Sequence, residues 1–147
     1  MAKAMKKKAV AAKATKKKAV TAKATKKKAA TAKATKKTTE SVLQHHVQAL
    51  MARNLEEIIK DYCEDSLLCT PMGTTKGLKG IRESFTMALG MLTPEAMGNM
   101  KSIKQDIHGE YAYVLWSALP AVTFAGDTFH VRNGKIIMQT FVGQTGR

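Results

Sequence analysis

Gly126-Asp-Thr-Phe-His-Val-Arg-Asn-Gly-Lys-Ile136 is the stretch on which the fold turns. In an extended chain Asp127, Phe129 and Val131 fall on one side, and Thr128, His130 and Arg132 on the other. Asn133-Gly134 then supplies a two-residue turn, because both residues tolerate positive φ, and predicts a hairpin into a strand over 135–142. The period of two extends upstream. Residues 101–108 lead into a Gly109-Glu110 turn, and 111–119 carry Ala112, Val114, Trp116 and Ala118 on one side. Pro120 interrupts, and 122–131 run through Gly126 into the quoted stretch. Residues 100–142 therefore read as an antiparallel meander.

Before residue 100 the period is helical. Thr39 reads as an N-cap with Glu40 favouring the helix dipole, and Val42, Leu43, His46, Val47, Leu50 and Met51 form the stripe of a helix over about 40–52. Asn54 and Glu57 repeat the capping signature ahead of a second stripe, Leu55, Ile58, Ile59 and Tyr62. A short strand over 66–70 stops at Pro71, and 72–77 form a turn or a second short strand. Ile81, Phe85, Ala88, Leu89 and Leu92 mark a third helix that ends near Thr93-Pro94. Two or three helices followed by a meander predict an α+β fold, a curved antiparallel sheet packed on the N-terminal helices.

Charge divides the chain. Its formal net charge is +14, yet residues 1–39 hold 15 lysines and no acid, while residues 40–147 are nearly neutral. The expected organisation is a disordered Lys/Ala-rich tail over 1–39 and one α+β domain over 40–147, long enough for its own core. Three decamers repeat in the tail: KKKAVAAKAT from Lys6, KKKAVTAKAT from Lys16 and KKKAATAKAT from Lys26. They contain nothing large and apolar to offset the entropy of ordering them, and their lysine triplets repel one another. Lys6, Lys7, Lys8, Lys16, Lys17, Lys18, Lys26, Lys27 and Lys28 are candidates for contacting phosphates of a nucleic acid or another polyanion. With no Arg, Asn, Gln or aromatic side chain among them, the repeats carry no means of reading bases. The blocks KKKA and AKAT resemble the tails of linker histones and bacterial histone-like proteins.

Other classes fall away. No apolar run approaches the length of a membrane span, and the lysines at the start precede no apolar signal segment. Cys63 and Cys69 form a poor zinc pattern and too small a disulfide scaffold, so they are expected as reduced thiols in a cytoplasmic, bacterial setting, nucleoid-associated if the polyanion is DNA. The four histidines are scattered, so no metal site is expected, and nothing in the sequence calls for a cofactor.

Four strings resemble the SnoaL-like branch of the nuclear transport factor 2-like superfamily: His45-His-Val-Gln-Ala-Leu-Met-Ala-Arg-Asn-Leu-Glu-Glu57, Asp61-Tyr-Cys-Glu-Asp-Ser-Leu67, Thr75-Lys-Gly-Leu-Lys-Gly-Ile-Arg82 and the quoted stretch from Gly126. The resemblance covers residues 40–142 and has no counterpart for the tail. It implies a cone-shaped α+β barrel, a homodimer through the sheet's convex face, and a pocket for a small apolar or amphipathic molecule between the concave face and the helices. Family members include ketosteroid isomerase-like enzymes, polyketide cyclases, dehydratases and epoxide hydrolases, and many have no demonstrated activity, so the fold does not choose the chemistry.

In that pattern the Asp of Gly126-Asp-Thr-Phe faces the cavity, which makes Asp127 the candidate acid/base residue; among Phe129 and Val131 its pKa is expected to rise. The alternative is a carboxylate bound to a backbone amide at a bend beside Gly126. Tyr62, Trp116, Phe129 and Val131 are candidate pocket residues, although Tyr62 and Trp116 fit a plain core role equally, the indole N–H seeking an acceptor in either. His46 shares the first helix's apolar stripe and is expected as a satisfied core histidine; His130 is expected on the convex side. On this reading the cavity offers one carboxylate with no His or Arg partner. Three functions stay open: a small-molecule-binding domain tethered by its tail, an acid/base enzyme of isomerase, cyclase or dehydratase type using Asp127, and a dimeric nucleoid-associated protein.

Overall fold

The computed structural model describes residues 37–146. The repeat tail and its nine candidate lysines lie outside the described residues. Helix α1 (Thr39–Met51) begins one residue earlier than expected: Thr38, not Thr39, is the N-cap, its hydroxyl accepting from Ser41 N. Thr39 Oγ1 donates instead to Gly109 O at 2.7 Å, tying the helix start to a hairpin turn. Asn54 caps α2 (Leu55–Lys60) as its sequence predicts. Strands β1 (Leu67–Thr70) and β2 (Gly73–Lys76) form a short hairpin ahead of α3 (Gly77–Met91). Arg53, between α1 and α2, donates to the carbonyls of Leu89 and Leu92 at the end of α3.

Thr93-Pro94 does more than stop a helix. Thr93 caps a further short helix, α4 (Pro94–Gly98), with proline in the first turn, where its missing N–H costs nothing. The sheet follows: β3 (Met100–His108), β4 (Tyr111–Ala118), β5 (Val122–Arg132) and β6 (Lys135–Thr145). The expected hairpin is present, with Asn133 at φ 52° and Gly134 at φ 73° joining β5 to β6.

The six strands run in the order β2-β1-β6-β5-β4-β3. All junctions are antiparallel except β1–β6, which is parallel and departs from the all-antiparallel expectation. The exception follows from the chain path, since β1 precedes α3 and the meander and returns to the sheet beside its last strand. Ala112, Val114, Trp116 and Ala118 of β4 and Ala125, Phe129 and Val131 of β5 join Val42 and Leu43 of α1, Ile58 of α2 and Ile81 and Phe85 of α3 in one core. Helices thus cover the concave face. The other face carries Tyr111, Tyr113 and Phe124 and Val142 beside them, all exposed.

Candidate functional site

The concave face is not uniformly apolar. Asp127 and Gln139 are 4% and 5% exposed, and Asp61 and His46 are 0% and 2% exposed. Strand alternation puts Asp127 inward beside Phe129 and Val131. Its two carboxylate oxygens are engaged separately: Trp116 Nε1 donates to Oδ2 at 2.6 Å, and Gln139 Nε2 donates to Oδ1 at 2.7 Å. Val114 lies directly opposite Asp127, so Trp116 reaches it diagonally across the strand pair. The Tyr62 hydroxyl donates to Gln139 Oε1, completing a chain from Tyr62 through the amide to Asp127. The partners are therefore side chains; the alternative in which Asp127 binds a backbone amide beside Gly126 does not hold.

Burial pushes the Asp127 carboxyl above the usual carboxylate range, against the opposing pull of the Gln139 and Trp116 hydrogen bonds and the charge of His46. Burial, with Asp127 and Asp61 nearby, holds the Tyr62 phenol well above its ordinary value. A carboxyl that resists ionisation and a phenol that keeps its proton are groups that can hold and return a proton inside an apolar enclosure.

The other predicted pocket residues are placed as follows. Tyr62, Trp116, Phe129 and Val131 are 2%, 6%, 4% and 2% exposed and belong to the packed core. They meet in one buried interior. Trp116 lies against Phe141 with ring centres 6.2 Å apart, and Phe129 against His46 at 5.7 Å. Two surface depressions border this interior. One, of about 400 Å³, runs between α1 and β3 along Glu40, Leu43, Gln44, Val47, Gln48 and Gln105. The other, of about 380 Å³, sits where the start of α1 meets the two hairpin turns, and Val131 reaches it.

Among the described residues no histidine or arginine hydrogen-bonds or ion-pairs with Asp127, but one histidine shares its interior. His46 lies in the interior, edge-on to Tyr62, Phe85 and Phe129, and its charge bears on Asp127. Nor is it a satisfied core histidine: its Nδ1 is buried without a hydrogen-bond partner, alone in this among the described residues. The helical spacing had placed it on the inward stripe, where its polarity was outvoted by five apolar neighbours. Asp61 and Gln139 carried weaker signals. Simple alternation from Ile136 turns Gln139 outward, but a register shift at His130/Val131 inserts an extra residue in β6, and Gln139 turns in opposite Phe129. His130 is on the convex side, stacked on Tyr111 at 4.6 Å and facing Glu110. Among the described residues no cluster of three or more His, Cys, Asp or Glu side chains could hold a metal, both cysteines are free thiols, and no helix is long and apolar enough to cross a membrane.

Comparison with solved structures gives this architecture a name. The chain is similar to an NTF2-like protein of unknown function from Cytophaga hutchinsonii, at 16% identity over 73% of this chain and 90% of that one, with a TM-score of 0.56. A SnoaL-like protein of unknown function from Burkholderia thailandensis matches at 15% identity over 72% of this chain and 94% of that one, with a TM-score of 0.60. The fold is nuclear transport factor 2-like. TerC, crystallised with polyporic acid, shares this fold at 16% identity over 72% of this chain and 91% of its own, with a TM-score of 0.55. No protein-family model and no curated protein matches the chain. At these identities the likeness concerns the nuclear transport factor 2-like backbone, and the site must be read from its own residues.

Proposed function

We propose that the concave interior binds a small apolar or amphipathic molecule with a polar group presented to Asp127, and that the tail attaches this domain to nucleic acid or another polyanion. The observation carrying the first part is the polar chain Tyr62–Gln139–Asp127–Trp116 inside the core. Removing a carboxylate from water is expensive, and an apolar substitute of similar shape is commonly as stable or more so. A buried, hydrogen-bonded carboxyl in the same interior as a histidine whose Nδ1 has no hydrogen-bond partner is thus better explained by a ligand's needs than by stability. The depression between α1 and β3 is the entry, because Leu43 belongs both to its wall and to the core beneath. The co-crystallisation of TerC, of the same fold, with polyporic acid is consistent with this reading. Its test is a thermal-shift screen of small ring compounds on the wild type and Asp127→Asn. Hits that stabilise only the wild type are expected; a screen without hits, or hits indifferent to Asp127, defeats it.

The second part rests on the 15 lysines of residues 1–39. Each phosphate contact releases counterions, so log K should fall against log salt with a slope of about −0.9 per contact. Deleting residues 1–37 should abolish DNA retention at low salt, and salt-insensitive retention would exclude the tail. Exposed Tyr111, Tyr113, Phe124 and Val142 favour a homodimer through the convex face, which would present two tails for multivalent attachment. Catalysis is the second reading, favoured by the raised Asp127 carboxyl: an isomerase, cyclase or dehydratase type of proton transfer. It would show as turnover lost in Asp127→Asn while ligand binding survives.

A further inference from the structure

His45 and His46 stand side by side on α1, one facing outward and one inward, and both address the same carboxylate. Asp61 ends α2 and is wholly buried, and its backbone carbonyl accepts from Ile136 N at 2.7 Å, fixing that turn to β6. His45 Nδ1 donates to Asp61 from 2.8 and 2.9 Å of its two oxygens. The other His45 nitrogen lies 3.4 Å from Glu57, which Lys60 also holds. His46 Nδ1 lies 3.5 Å from Asp61 Oδ2, close enough for attraction but without a hydrogen bond.

That contact selects a tautomer. A bare Nδ1 would set its lone pair against a carboxylate oxygen, whereas a protonated Nδ1 presents positive charge to it. The groups packed around His46 are Asp61 and Tyr62 from the segment closing α2, Phe85 from α3 and Phe129 from β5, with Asp127 of β5 within reach of its charge.

We propose that His46 is a second acid/base group of the interior, its neutral ring protonated on Nδ1 by virtue of Asp61, with Nε2 the atom that accepts or releases a proton. Asp61 is the positioning residue, and His45 links it to solvent. The inference rests on the concave interior being the site, and it supplies what a lone Asp127 lacks. Asp127, in its ionised carboxylate form, can take a proton as a bond to hydrogen breaks, leaving the electron pair on the bound molecule. Imidazolium His46 can then deliver its Nε2 proton to a second atom of that molecule. Asp127 afterwards loses a proton and His46 regains one, so the cycle consumes none. The positive charge of His46 favours the ionised form of Asp127, the form that takes the proton.

Long-range ¹H–¹⁵N NMR of the histidine rings in the full-length wild type tests this without a ligand, with His46→Gln assigning the signals. The deprotonated His46 ring is expected to carry its proton on Nδ1, the reverse of a free imidazole's preference, and Asp61→Asn to shift it toward Nε2–H. A wild-type ring protonated on Nε2, or one doubly protonated up to the alkaline limit of folding, overturns the proposal even if no variant folds. In His46→Gln the Asp127 carboxyl, followed by ¹³C, should titrate above the wild type, because a charge that favours its ionised form is gone; an unmoved titration also overturns it. Because neither readout uses a ligand, an empty ligand screen with the expected tautomer would defeat the binding reading alone.

Discussion

Each face of the sheet carries exceptions to what partitioning between water and oil would arrange. On the concave face Asp127 and Gln139 are 4% and 5% exposed, while on the convex face Tyr111, Phe124 and Val142 are 52%, 46% and 63% exposed. Both faces come from the same strands, so alternation, with the extra residue in β6, separates them. A sequence shaped only for stability would bury Phe124 and expose Asp127. Each face departs from that rule in its own direction: the inner one keeps polar groups where they are expensive, and the outer one keeps apolar area where it gains nothing in a monomer. We read the first as a site and the second as a surface for another copy.

Four experiments sharpen or break this contrast. Phe129→Ala should cost about 3–5 kcal/mol of unfolding free energy, and Phe124→Ala, five residues away on the opposite face, under about 1 kcal/mol. Equal losses in urea unfolding would mean that the faces are not distinguished by burial. Trp116→Phe keeps most of the ring volume but removes the donor to Asp127 Oδ2, for an expected loss of about 1–3 kcal/mol; a neutral result would show that the hydrogen bond contributes nothing.

The third experiment reads pH. The folded carboxyl of Asp127 sits above its unfolded value, so the native state holds a proton that the unfolded chain releases first. Its contribution is most favourable below the ordinary carboxylate range and is lost as pH rises through the folded value. Wild-type stability relative to Asp127→Asn should therefore decline across that window and then level off. A difference constant with pH would show that Asp127 ionises as freely inside as outside. Smallest in stability is Phe124→Ser with Val142→Ser, expected to change monomer unfolding by about 0.5 kcal/mol yet halve the mass seen by sedimentation. An unchanged mass would remove the convex face as the dimer contact.

Much of the fold was legible because its signals are local. The Asn133-Gly134 turn, the inward set of Asp127, Phe129 and Val131, the cap at Asn54 and the helical stripe of α1 each need only a few neighbouring residues to be read. Errors arose where two signals shared one residue: Thr38 and Thr39 both suit an N-cap, and Thr93-Pro94 both ends a helix and starts one. The site was half legible. Asp127 and its strand partners showed through the period of two, but nothing adjacent to Asp61 announces that it will lie fully buried beneath two histidines.

Taken by itself, the amino-acid sequence determined the separation of a cationic arm from a neutral body, the helix-then-strand order and the inward face of β5, since charge, periodicity and turn chemistry are properties of short segments. The tertiary structure alone decided that β1 joins β6 in parallel, that an extra residue in β6 turns Gln139 toward Asp127, and that His46 meets Asp61. Those outcomes depend on register and on contacts between segments far apart in the chain, where a slip of one residue exchanges the inside for the outside.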